Sequence, residues 1–122
     1  MPKFFYDSYA IISYLDGEQK FKKYFSIDNG VTTSYCIMEV YYSLLKRFRK
    51  EKAEEIINSL FEVVISPTFE EIKVASEFRF ENKKKDFSYS DCLGYIVAKR
   101  RKLRFLTGDL GFKDMANVEF VK

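Results

Sequence analysis

The 122-residue sequence contains no histidine. Without imidazole there is no Ser-His-Asp triad, no Cys-His pair and no His-based zinc site. Cysteine is nearly absent too. Cys36 and Cys92 stand far apart with no Cys-x-x-Cys spacing, which leaves neither a redox motif nor a zinc ribbon. Both lie in apolar stretches, where buried thiols are expected. No apolar run exceeds four residues, whereas a membrane-spanning helix needs roughly 20 and a secretory signal needs its own apolar segment. No membrane association is expected, and the default compartment is cytoplasmic. No Gly-x-Gly-x-x-Gly turn is present, so a dinucleotide fingerprint is missing. Any catalysis must rest on carboxylates, hydroxyls, lysines or a bound hard metal.

What is present suits one folded domain over residues 1–122, since 47% of residues are apolar and 32% charged. Lys plus Arg is 21 against 18 Asp plus Glu, a net charge of +3 that permits a nucleic-acid partner without demanding one. Lys3 to Tyr6 reads as a buried strand, with Ser8 capping the helix that follows until Asp16-Gly17 stops it. Phe21, Tyr24 and Phe25 suggest a short helix, Asp28-Asn29-Gly30 a turn, and Val31 to Thr33 a strand; a hairpin across Asn29-Gly30 is the alternative. A long helix is expected from Ser34 to Lys50 and an antiparallel partner from Glu54 to Phe61. A strand follows from Glu62 to Ser66, then a helix with Pro67 in its first turn. A lysine-rich loop, Asn82 to Asp86, leads to a helix capped by Ser88 and ending near Arg101. Leu103 to Thr107 and Val118 to Val121 complete the strands. This alternation predicts an α/β three-layer sandwich, with a central parallel β-sheet of four or five strands flanked by helices.

Burying a lone carboxylate is costly unless it is paired, so an isolated acid in an apolar stretch needs a reason. Asp7 is the only charge between Phe4 and Leu15, and Glu39 the only one between Tyr35 and Leu45. Asp91 is alone between Phe87 and Ala98, and Asp109 between Phe105 and Phe112. Asp28, Glu62 and Glu119 meet the same test but have ordinary places: a turn, a strand start and an outward strand position. Position separates the four. Asp7 and Asp109 follow apolar strands, at the edge of a parallel sheet where ligands bind. Glu39 falls in the second turn of a helix entered from that edge, and Asp91 in the first turn of another.

Each acid also has a structural reading. Ser88-x-x-Asp91 resembles a capping box, Asp7 suits a helix start, and Asp109 suits a turn between Gly108 and Gly111. Glu39, on an apolar stripe, has the weakest such account. If the four meet, a cation must hold them: two carboxylates about 4 Å apart repel by roughly 4 kcal/mol at an effective dielectric of about 20. Oxygen-only ligands select Mg²⁺ or Mn²⁺. Such an ion activates water and neutralises charge on a phosphodiester. Thr107 and Ser8 offer hydroxyls that could orient its waters.

The segments Phe4-Phe5-Tyr6-Asp7-Ser8, Thr33-Ser34 leading into Met38-Glu39-Val40-Tyr41-Tyr42, Tyr89-Ser90-Asp91-Cys92 and Leu106-Thr107-Gly108-Asp109-Leu110-Gly111-Phe112 occur in this order along the chain. In order and spacing the chain resembles PIN domains, in particular the small VapC-type toxin ribonucleases. The resemblance implies that Asp7, Glu39, Asp91 and Asp109 form an acidic metal-binding set with Thr107 as a supporting hydroxyl. It further implies metal-dependent cleavage of single-stranded RNA, a homodimer, and an antitoxin encoded alongside. Cys92 departs from the smaller residue usual after the third acid.

Asp114 is a candidate fifth acid, against the alternative of an exposed loop carboxylate. Lys83-Lys84-Lys85 precedes the Asp91 helix and is a candidate phosphate contact. The clusters from Lys46 to Lys50 and from Lys99 to Arg104 are more simply explained by cations favouring helix C-termini. Other small α/β classes fit less well. A phospho-accepting receiver needs an aspartate where Ser66-Pro67 stands, and a phosphatase with an Asp-x-Asp start needs a second acid where Tyr9 stands. The remaining alternative is a non-catalytic PIN-like module that binds RNA or another protein.

Overall fold

Phe5 and Tyr6, neighbours in the first strand, point to opposite faces of the sheet as the pleat requires, and each begins one half of the core. Phe5 belongs to a cluster with Phe87, Leu93, Val97, Phe105 and Phe112. Tyr6 belongs to another with Ala10, Ile11, Phe21, Val40, Leu44 and Leu106. Fully buried rings such as Phe5, Phe105 and Phe112 each contribute about 2–3 kcal/mol of hydrophobic transfer.

The computed structural model describes residues 1–122. The elements run β1 (Phe4–Tyr6), α1 (Ser8–Leu15), α2 (Gln19–Lys22), β2 (Gly30–Thr33), α3 (Ser34–Arg47), α4 (Lys50–Asn58), β3 (Val64–Ile65), α5 (Phe69–Glu81), α6 (Tyr89–Arg100), β4 (Arg104–Thr107) and β5 (Val118–Phe120). The five strands form one sheet in the order β3-β2-β1-β4-β5. Every pairing is parallel, with Phe5 opposite both Val31 and Phe105. Helices cover both faces, as the alternation predicts, and the hairpin across Asn29-Gly30 is excluded because β1 and β2 run the same way. No helix is long and apolar enough to cross a membrane.

The strand order places the candidate site. The chain steps outward from β1 to β2 and β3, then crosses back so that β4 pairs with the other side of β1. Strand order therefore reverses between β1 and β4, and the carboxyl ends of these two strands flank the crevice where open parallel sheets take ligands. Helix α6 is buried along nearly its whole length and lies over this pair. A Cβ at Gly94 would come within 2.6 Å of the Phe5 ring and 3.1 Å of the Phe105 ring. Only glycine lets the helix approach this closely.

Several boundaries differ from the sequence expectations. Asp7, not Ser8, is the N-cap of α1, its side chain accepting from Ser8 N. Helix α3 stops at Arg47 because Phe48 is extended, and α4 begins already at Lys50. The third strand is only Val64–Ile65, because Phe61–Val63 forms a 3₁₀ turn; Glu62 is exposed in that turn rather than opening a strand. Pro67 precedes α5 instead of entering it. Thr68 is the N-cap there, in a reciprocal capping box with Glu71. Lys83–Lys85 form an exposed 3₁₀ turn ended by Asp86 in the left-handed region, at φ 59°. Both cysteines are free and buried, as expected.

Candidate active site

Asp7 sits one residue beyond β1, and its backbone N–H still donates to Leu106 O at 3.1 Å, so the strand pairing aims its side chain at the crevice. The residue is buried. Asp7 Oδ1 accepts from Ser8 N at 2.8 Å and Oδ2 from the Thr107 hydroxyl at 2.7 Å. Thr107, fully buried at the end of β4, also accepts from Asp109 N at 3.1 Å. One hydroxyl thus orients the acids that follow both central strands.

Ser8 makes a second cross-link. Its hydroxyl donates to Glu39 Oε1 at 2.8 Å, tying the start of α1 to the second turn of α3. Asp91 closes a capping box on α6: Asp91 N donates to Ser88 Oγ at 3.1 Å, and Ser88 N donates to Asp91 Oδ2 at 2.9 Å. Asp109 holds its own turn, with Oδ1 accepting from Gly111 N at 2.9 Å. Gly108 before it is a close approach, since a Cβ there would lie 2.5 Å from the Tyr9 ring and 2.6 Å from Val121 O.

Asp7, Glu39, Asp91, Asp109 and Ser8 line one open depression of about 410 Å³, together with Tyr9, Tyr42, Ser43, Lys46 and Ser88. Its wall carries four carboxylates and a single amine. Burial pushes Asp7 up to about 8, helped by the negative charges of Asp91 and Glu39 and opposed by the hydrogen bonds from Thr107 and Ser8 N. Asp91 is raised as well, first by burial and then by Glu39 and Asp109, against the capping bonds of Ser88. Neither cysteine offers a thiolate here, because burial pushes Cys36 up to about 12 and Cys92 to about 11.

These features bear directly on a cation. No three acids close into a ready ligand cluster in the side-chain positions of the structure. The donor set is nevertheless all oxygen. Glu39, Asp91 and Asp109 each spend one oxygen on a protein hydrogen bond and leave the other without one. Asp7 and Asp91 hold their protons more tightly, chiefly through burial and in smaller part through the charges of neighbouring acids, and a positive ion offsets that second part. The residues fit a hard divalent cation.

The remaining sequence candidates lie elsewhere. Thr107 is behind Asp7 rather than on the wall, and its proton goes to that carboxylate instead of a water; the Ser8 proton likewise goes to Glu39. Asp114 is exposed and outside the depression, the loop carboxylate of the alternative reading. Lys83, Lys84 and Lys85 are exposed on a neighbouring turn, where Lys85 Nζ approaches Gly111 O at 3.5 Å. Of the acids set aside, Glu119 is engaged by Tyr24 and Arg104. Sequence reasoning missed Lys46 and Ser43 as wall residues. The available signal was helical spacing, since residues 39, 42, 43 and 46 share one face of α3.

A family model described as the PIN domain matches residues 4–118. A search of the curated proteins by sequence returns no significant match. Among solved structures the fold is similar to that of the sarcin-ricin loop cleaving toxin VapC20 of Mycobacterium tuberculosis, with a TM-score of 0.77 and 16% identity over 98% of this chain and 100% of that one. A DNA-bound VapBC from Salmonella typhimurium gives a TM-score of 0.75 and 17% identity over 99% and 98% of the two chains. A toxin-antitoxin complex from Klebsiella pneumoniae gives 0.74 and 13% identity over 96% of each chain. At such identities the likeness is one of fold.

Proposed function

The chain belongs to the PIN domain family, and from that membership we propose that it is a Mg²⁺- or Mn²⁺-dependent endoribonuclease cutting single-stranded RNA, the toxin of a toxin-antitoxin pair. One observation carries the reading. Four acids from four separate stretches of the chain, Asp7, Glu39, Asp91 and Asp109, line one depression at the point where strand order reverses.

In this reading the four carboxylates would hold the cation, which when bound would supply Lewis-acid activation of water and offset charge on a phosphodiester. The chain's own part is orientation. Thr107 and Ser8 N fix both oxygens of Asp7, Ser8 fixes Glu39, Ser88 fixes Asp91, and Gly111 N fixes Asp109. Each carboxylate is therefore held before substrate arrives, which lowers the reorganisation left for the reaction. Phe112, in the turn that Asp109 caps, stacks on Phe87 at 4.1 Å and joins that turn to the core.

The toxin reading adds an antitoxin protein and a homodimer as partners, and the cytoplasm as the place of action. It is supported by solved neighbours that are themselves toxin-antitoxin complexes. Exposed apolar side chains also suit a protein that meets partners, among them Tyr35 and Met38 on α3 and Phe69 on α5.

The test is cleavage of labelled single-stranded RNA with and without Mn²⁺. The wild type is expected to cut only with the ion, and Asp7→Asn and Asp91→Asn, each folded by circular dichroism, to lose at least about a hundredfold of the rate. RNA binding without metal-dependent cutting would leave a non-catalytic binding module. Equal residual cutting in both variants would mark a contaminating nuclease.

A further inference from the structure

Lys46 stands in the last turn of α3, where a cation has an ordinary use against the helix dipole. Its neighbours account for themselves in such terms. Arg47 pairs with Asp16, Arg49 approaches Glu51 and Lys50 approaches Glu54. Lys46 pairs with no carboxylate and donates no hydrogen bond, although it is the single base on the wall of a depression with four acids. Glu39, the acid of the wall on the same helix, stands two turns back, beyond the three- or four-residue spacing of helical ion pairs, and accepts from Ser8. The Lys46 ammonium lies 4.9 Å from the centre of the Tyr42 ring, another wall residue, which holds the side chain along the rim by a cation–π contact.

An unpaired ammonium fixed at the edge of an acidic depression is matched by an anion that also has business with the acids. A nucleic-acid strand brings one negative charge per nucleotide toward four carboxylates, and a cation bound by them would offset the charge of one phosphate at most. The adjacent phosphate needs a positive partner within reach of the rim.

We propose that Lys46 is the phosphate-positioning residue of this site, holding a backbone phosphate of single-stranded RNA at the rim set by Tyr42 and Glu39. The inference rests on the ribonuclease reading above. Lys46 acts by placing the strand and takes no part in bond breaking, so its loss is felt in substrate binding more than in turnover.

The experiment compares wild type, Lys46→Gln and Lys46→Arg in Mn²⁺-dependent cleavage of a labelled single-stranded RNA over a range of KCl concentrations. Lys46→Gln is expected to raise KM about tenfold, to change kcat less than about twofold, and to reduce the salt slope of log KM by about 0.7, the value for one phosphate on a single strand. Lys46→Arg is expected to restore both KM and slope. Lys46 is exposed, so both variants should fold, and thermal unfolding checks this. An unchanged KM and salt slope in Lys46→Gln overturns the inference, as does a fall in melting temperature with no change in KM. A wild type that neither binds nor cuts RNA removes the ribonuclease reading itself, whereas a wild type that cuts beside an equal Lys46→Gln removes Lys46 alone.

Discussion

The Thr107 hydroxyl donates to Asp7 Oδ2 at 2.7 Å, joining residues that lie 100 positions apart in the chain. Because the same oxygen accepts from Asp109 N, the turn after β4 and the cap of α1 share one anchor. Thr107→Val keeps the shape and removes the hydroxyl, leaving the buried Asp7 Oδ2 without a partner while Ser8 N still holds Oδ1. It is expected to cost about 1–3 kcal/mol of stability and to lower Mn²⁺-dependent cleavage, whereas Thr107→Ser should keep most of both. Urea unfolding and initial rates measure the two effects, and a Val variant as active as the Ser variant would count against the anchor.

Asp7 makes stability depend on pH. Burial and its acidic neighbours raise it from the usual 3.8 to about 8, so between those values the folded chain keeps a proton that the unfolded chain has released. Stability is then greatest below the lower value and declines as pH rises through the upper one. Metal-free protein is expected to melt at a lower temperature at pH 8 than at pH 5, and Asp7→Asn should flatten that difference. Mn²⁺, bound at these acids as proposed, would compete with the proton and should raise the melting temperature more at pH 8. A metal-free wild type that gains stability steadily from pH 5 to pH 8 speaks against a protonated Asp7.

Glu71 has the opposite behaviour. Arg101 donates to it from Nε at 2.9 Å and from Nη2 at 2.7 Å, and Thr68 N adds a bond at 2.8 Å. Chiefly through the Arg101 bonds, the carboxyl is held below its ordinary range. This stabilisation is complete above the unfolded value of 4.5 and is lost as pH falls through the folded one. Glu71→Ala should cost about 2 kcal/mol at pH 7, given a buried carboxylate and a partly exposed arginine. Chemical denaturation at pH 7 and pH 3 should show the gap between variant and wild type narrowing in acid.

The lysine turn, which meets the Asp109 turn where Lys85 approaches Gly111 O, should act on RNA from outside the depression. Neutralising Lys83, Lys84 and Lys85 together is expected to weaken RNA binding and to lower its salt slope by up to about 2, at about 0.7 for each phosphate no longer neutralised. Fluorescence anisotropy across a salt series reads the change. A slope equal to that of the wild type retires the triplet as a phosphate-binding element.

Much of the fold was legible because strands and helices alternate with clear punctuation at Asp16-Gly17, Asp28-Asn29-Gly30 and Ser88. The edge strand β3 was overestimated because Glu62 to Ser66 reads as extended from local preference alone, while the chain uses Phe61–Val63 as a turn. Pro67 misled for a similar reason: Thr68 and Glu71 make a stronger helix start than proline does. The four acids that line the depression were singled out by isolation among apolar neighbours together with their places at strand ends and helix starts. Capping and a place on the wall looked like competing explanations for Asp91 and Asp109. They coexist, because a carboxylate has two oxygens and the cap needs one. The partners of Thr107 and Ser8 could not be read from sequence, since each hydrogen bond depends on the register between distant elements.

Crossing back from β3 to β4 has an effect that reaches into synthesis. Asp7 and Glu39 leave the ribosome before that crossing, Asp91 and Asp109 after it, and β4 brings the Thr107 that seats Asp7. A nascent chain halted at the lysine turn holds two of the four acids and lacks the strand that completes the crevice. Under the ribonuclease reading, the depression is complete only after α6 and β4 have emerged, so the activity proposed for it waits on the end of synthesis.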